Sequence, residues 1–191
     1  MRYDNYEEKI VIDTSEMDEL HQLLYQQYLD DFSEFYLVYQ TMISSDENDA
    51  EHKEAFIRWQ SPDFGMVSPV KIIRCVSDFG IFKQLNDWIV GNVCKDIKAI
   101  KEKNKPLPVI HINCPYNQIN DFAIVDIIID NLSKYDIPAE NICLELEGKE
   151  VSSALEDIML LEEMGIRICI DKFENSEEER EILNVIKPDY I

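Results

Sequence analysis

The spacing of apolar residues changes several times along the chain, and each change marks an element. The run SEMDELHQLLYQQYL (Ser15–Leu29) opens with a capping signature, and its apolar positions then recur at helical spacing. FYLVYQTMI (Phe35–Ile43) is aromatic and β-branched, side chains that suit a pleated surface, and predicts a strand. A polar, acidic turn over Ser44–Glu51 leads into a second strand, Lys53–Trp59. So short a connection suits an antiparallel pair and leaves no room for a helical crossover.

The rhythm then shifts to helix and strand in alternation. A helical stretch from Ser68 to Glu102, with a break at Gly80, precedes the strand Pro108–Cys114. Helices over Phe122–Lys134 and Val151–Met164 separate the strands Asn141–Glu147 and Ile166–Phe173. An acidic helix over Ser176–Ile186 runs into a last strand-like segment, PDYI. Such alternation predicts a parallel sheet. The expected fold class is α/β, an incomplete TIM-type (βα) barrel whose first strand runs antiparallel to the rest. A complete barrel of this class has eight strands and typically ~250 residues. Six strands in 191 residues therefore read as a barrel lacking its last two βα units, with residues 1–14 as a polar lead-in and 15–191 as the domain. An open barrel leaves a bare strand edge, so the last strand is expected to be covered by a partner chain or by a local segment.

Composition narrows the partners. Lys and Arg total 18 against 39 Asp and Glu, a formal charge of −21. Such a surface repels DNA, RNA and anionic membrane, because binding them depends on neutralising phosphates with cations. A phosphate-bearing ligand would need a local cation. Five cysteines without CxxC spacing argue against a disulfide framework and for a reducing, cytoplasmic setting. The N-terminal residues lack the basic and apolar regions of a signal peptide, and no segment approaches the roughly 18 apolar residues of a membrane span.

Three strands share one pattern. In IHIN the isoleucines take one face, and His111 and Asn113 take the other. In ICLELE the second face holds Cys143, Glu145 and Glu147, and in IRICID it ends in Asp171. Side chains alternate across a strand, so each packs an apolar face outward and aims a carboxylate or amide inward near its C-terminal end. Barrels of this class place their active sites at that end. Glu54 shares its strand face with Phe56 and Arg58. Together Glu54, Asn113, Glu145 and Asp171 are an all-oxygen set, suited to a hard cation such as Mg²⁺, Mn²⁺ or Ca²⁺. The histidines read blandly: His111 as a packed strand residue with no second His or Cys to join it, His21 and His52 as exposed.

Tyr39-Gln40, the run EAFIRW (Glu54–Trp59) and GMVSP (Gly65–Pro69) resemble the opening motifs of the EAL domain family, with the signature triplet as EAF. LNDW at Leu85, Asn113 with Gln118, LEL around Glu145 and IDKF at Ile170 follow in collinear order. The resemblance implies hydrolysis of cyclic-di-GMP with two divalent cations, Mg²⁺ or Mn²⁺. It assigns Glu54, Asn113, Glu145 and Asp171 to the first metal, and Gln40, Phe56 and Arg58 to the cyclic dinucleotide.

The departures point away from catalysis. The family's Asp-Asp pair is Asp171-Lys172 here, the Gly-rich loop that follows it is ENSEEE (Glu174–Glu179), and Gly148 stands where a second Glu is expected. The family's catalytic lysine would fall beyond Ile191. The expectation is a degenerate, catalytically inactive EAL-type domain that binds cyclic-di-GMP or a protein partner, or forms a homodimer. The alternative is an active cyclic-di-GMP phosphodiesterase when full length.

Overall fold

The computed structural model describes residues 18–43, 50–114, 123–147 and 155–191. They divide into two compact units, one made of the described residues up to Phe35 with Arg58–Ile81, the other of Tyr36–Ile57 with Phe82–Ile191.

In the first unit, α1 (Glu19–Leu29) is capped by Asp18, whose carboxylate accepts from the His21 amide at 3.0 Å. The start expected at Ser15 lies outside the described residues. After α2 (Pro69–Phe79), the predicted break falls at Gly80, which takes the left-handed conformation at φ 64° that a residue with a Cβ avoids. Trp59 is fully buried, stacks on Phe35 with centroids 5.1 Å apart, and donates its indole N–H to Glu34 at 2.9 Å. Tyr25, Tyr28, Phe32 and Phe79 complete an aromatic core. A short strand, β3 (Gly65–Val67), pairs antiparallel with the end of β2 (His52–Ser61), Trp59 opposite Val67. Sequence periodicity missed it because three residues carry no measurable period.

The second unit carries the sheet that positions the site. Strands β1 (Phe35–Met42), β2 (His52–Ser61), β4 (Val109–Asn113), β5 (Ile142–Glu147) and β6 (Arg167–Asp171) lie side by side in that order. The first runs antiparallel to the rest, as expected; β2, β4, β5 and β6 are parallel. Helices α3 (Phe82–Lys101), α4 (Ala123–Tyr135), α5 (Leu155–Glu163) and α6 (Glu177–Ile182) supply the crossovers and flanks. Ile110, Ile112, Ile142, Leu144, Leu146, Ile168 and Ile170 are all buried and join the helices in one aliphatic core. The helices α3 and α4 pack together, and at Gly91 a Cβ would stand 3.0 Å from the Asn131 side chain, so this crossing tolerates no side chain without movement.

The sheet does not close into a barrel. The outer edge of β6 is nevertheless covered, and the cover is local: Ile170 donates to the Tyr190 carbonyl at 3.0 Å, and Asp189 and Tyr190 donate back to the Ile168 carbonyl. PDYI thus meets β6 through a single bridge between Tyr190 and Cys169. In α6, Ser176 and Glu179 form a reciprocal capping box.

Candidate functional site

Register brings the polar positions onto one face of the second unit's sheet. Glu54 is opposite His111, Asn113 opposite Glu145, Glu145 opposite Cys169, and Glu147 opposite Asp171. Partners across a parallel ladder point to the same side, so the alternation read in single strands becomes one continuous polar surface.

Its deep tier is a chain of hydrogen bonds. Glu145 is buried and its carboxylate lies 2.9 Å from Nδ1 of His111, which is 1% exposed. Nε2 of His111 lies 2.9 Å from Nδ1 of His52, and Nε2 of His52 lies 3.4 Å from the Tyr190 hydroxyl. His52 therefore corrects the sequence reading: it is 4% exposed, because the rings of His111 on β4 and Tyr190 in the C-terminal segment pack against it. His111 is likewise not solitary. His111, Glu145 and Cys169 each offer a donor atom, all within 4.8 Å of one another. These contacts join strands far apart in sequence, and the one available signal was that His52 and Glu54 share a strand face.

The rim tier holds the rest. Asn113 donates its amide N–H to the Glu54 carboxylate at 2.8 Å and sits beside Glu145 in the ladder. Asp171 is exposed at the end of β6. The next residue, Lys172, takes a positive φ of 54° and pairs its ammonium with the Glu147 carboxylate. Gln40 is exposed on β1, while Phe56 is half-buried on β2. Arg58, half-buried, lies on the part of β2 that belongs to the first unit. Gln118 and Gly148 lie outside the described residues.

The electrostatics follow from crowding. The Glu54 carboxyl is raised above its ordinary value by burial first, then by the Glu145 and Asp171 carboxylates, against the lowering bond from Asn113. The Cys169 thiol is pushed up to about 12 by burial first, then by Glu145, Asp171 and Glu54. Repulsion among carboxylates of this kind is what a divalent cation relieves. The oxygen donors of Glu54, Asn113, Glu145 and Asp171 fit one hard cation in type. The position after Asp171 does not fit a second, since an ammonium stands there and already neutralises Glu147.

The EAL domain family profile matches residues 15–191. The cyclic di-GMP phosphodiesterase NbdA of Pseudomonas aeruginosa is 25% identical over 144 residues, which are 72% of this chain and 18% of that protein. Among solved structures, the PaMucR phosphodiesterase in complex with c-di-GMP superposes with a TM-score of 0.77 at 19% identity, covering 88% of this chain and 70% of that one. The FimX EAL domain from Pseudomonas aeruginosa bound to c-di-GMP gives a TM-score of 0.73 at 17% identity, covering 88% and 68%. At such identities the structural likeness establishes the fold. The chain spans less than a fifth of the length of NbdA.

Proposed function

Since the chain belongs to the EAL domain family, related to cyclic-di-GMP phosphodiesterases, we propose that it is a degenerate signalling domain that binds without hydrolysing. In this reading Glu54, Asn113, Glu145 and Asp171 hold one cation, Mg²⁺ or Mn²⁺, and Gln40, Phe56 and Arg58 contact cyclic-di-GMP. The cation, when bound, supplies positive charge to a phosphate oxygen in an otherwise acidic setting. Asn113 orients the Glu54 carboxylate through its 2.8 Å bond, and Arg58 offers a guanidinium to the dinucleotide. Lys172 can offset phosphate charge but cannot generate hydroxide. The single observation that supports the reading is the Lys172–Glu147 ion pair beside Asp171, because by the family resemblance a second cation would need a carboxylate where Lys172 stands.

A protein partner or a homodimer is the other half of the proposal. Tyr36, Met42 and Ile43 are exposed on and just past β1, the end strand of the sheet, and apolar groups there suit a docked chain. A cytoplasmic setting is supported by the free state of all five cysteines, and among the described residues no helix is long and apolar enough to cross a membrane. Charge disfavours DNA, RNA and direct membrane contact.

A second reading, an active phosphodiesterase when full length, is favoured by the 25% identity to NbdA, which is named a cyclic di-GMP phosphodiesterase. Calorimetric titration of cyclic-di-GMP with and without Mg²⁺ or Mn²⁺ tests both. Binding should strengthen with the cation, with no hydrolysis above a metal-only blank. Lys172→Asp should gain metal affinity, by adding a carboxylate and removing a repelling charge, without restoring turnover. Turnover by the unmodified chain would install the second reading, and absence of nucleotide binding would leave a protein-interaction module.

A further inference from the structure

We propose that His111, Glu145 and Cys169 form a binding site for a thiophilic divalent cation, Zn²⁺. The site lies on three adjacent strands, β4, β5 and β6, whose ladder fixes the spacing: Asn113 opposite Glu145, and Glu145 opposite Cys169. One imidazole nitrogen, one carboxylate oxygen and one sulfur lie within 4.8 Å of one another. Tetrahedral Zn²⁺ with bonds of about 2.0–2.3 Å needs donors roughly 3.5 Å apart, so a set lying within 4.8 Å has to draw in by about 1 Å at most on binding. Nitrogen with thiolate selects Zn²⁺ over Mg²⁺, which prefers oxygen alone. Three protein donors leave a fourth position for water or an anionic ligand.

The surroundings of His111 match those of a metal-bearing imidazole. Ligating histidines pass their second ring N–H to a partner that sets tautomer and orientation. With Nδ1 on the cation, His111 Nε2 donates to His52 Nδ1 at 2.9 Å, and His52 Nε2 then donates toward the Tyr190 hydroxyl at 3.4 Å. Tyr190 also bridges to Cys169 in the backbone, so one C-terminal segment steadies the imidazole relay and the sulfur together. Glu145 and Asp171 flank Cys169 on the same sheet face, and metal binding exchanges the thiol proton, released to solvent, for the cation. Glu145 is shared with the all-oxygen set, but the proposal does not rest on the cyclic-di-GMP reading.

The test uses the chelator-stripped full chain titrated with Co²⁺ as the spectroscopic substitute. One equivalent should produce a thiolate-to-cobalt charge-transfer band that one equivalent of Zn²⁺ removes and excess Mg²⁺ does not. Cys169→Ser, which keeps the size of the side chain, should abolish the band. His52→Gln should keep the band while weakening affinity about 10- to 100-fold. Asp171→Asn should leave the band intact, which separates this site from the hard-cation set. No thiolate band in the unmodified chain, or a band that survives Cys169→Ser, overturns the proposal.

Discussion

The two tiers of the polar face use the same residue types to different ends. In the deep tier His52, His111 and Glu145 are buried and bonded in sequence, so each depends on its neighbours for solvation. At the rim Asp171, Glu147 and Lys172 are exposed, and water does most of that work. The difference teaches where substitution is affordable: charge can be exchanged at the rim with little effect on folding, whereas the deep tier ties chemistry to stability. Lys172, an exposed cation paired with Glu147, stands where such an exchange costs little.

The largest expected effect comes from breaking the deep tier at its centre. His111→Leu preserves bulk but leaves the His52 ring nitrogen and the Glu145 carboxylate buried without their shared partner. A loss of about 3 kcal/mol is expected in denaturant unfolding of the cation-free protein. A loss below ~1 kcal/mol would mean that water enters and the two tiers do not differ.

Lys172→Met sharpens the other side. Exposed ion pairs contribute roughly 0–1 kcal/mol, so unfolding stability should change by less than about 0.5 kcal/mol. Any effect should fade as salt rises.

The smallest effect concerns a histidine of the first unit. His21 is bonded to Asp18 at 2.8 Å and to Asp78 at 2.9 Å, and these bonds, Asp18 first, raise its protonation above the ordinary 6.5. A raised folded-state value means that the stabilisation is fully present below 6.5 and is lost as pH climbs through the folded value. Stability should therefore decline modestly on the alkaline side of 6.5, and His21→Asn should flatten that slope. A slope that survives the substitution would assign the titration to another group.

Much of the architecture was legible because it rests on local periodicity. The aliphatic alternation of IHIN, ICLELE and IRICID dictates which face meets the helices, and the structure buries those isoleucines and leucines together. The break at Gly80 was legible because only a glycine adopts its conformation cheaply. That Glu54 and Asn113 lie on one face was legible from strand alternation, and the two are hydrogen-bonded. What the residues alone determined, then, is which side chains share a face. What only the tertiary structure decided is depth and partnership across strands: His52 in the interior, the Tyr190–His52–His111–Glu145 chain, Cys169 beside His111, and the C-terminal segment laid along β6. These joins link positions up to 138 residues apart. Alternation along one strand specifies a side but not the neighbour across the ladder, and that neighbour is set by register and by the return path of the chain.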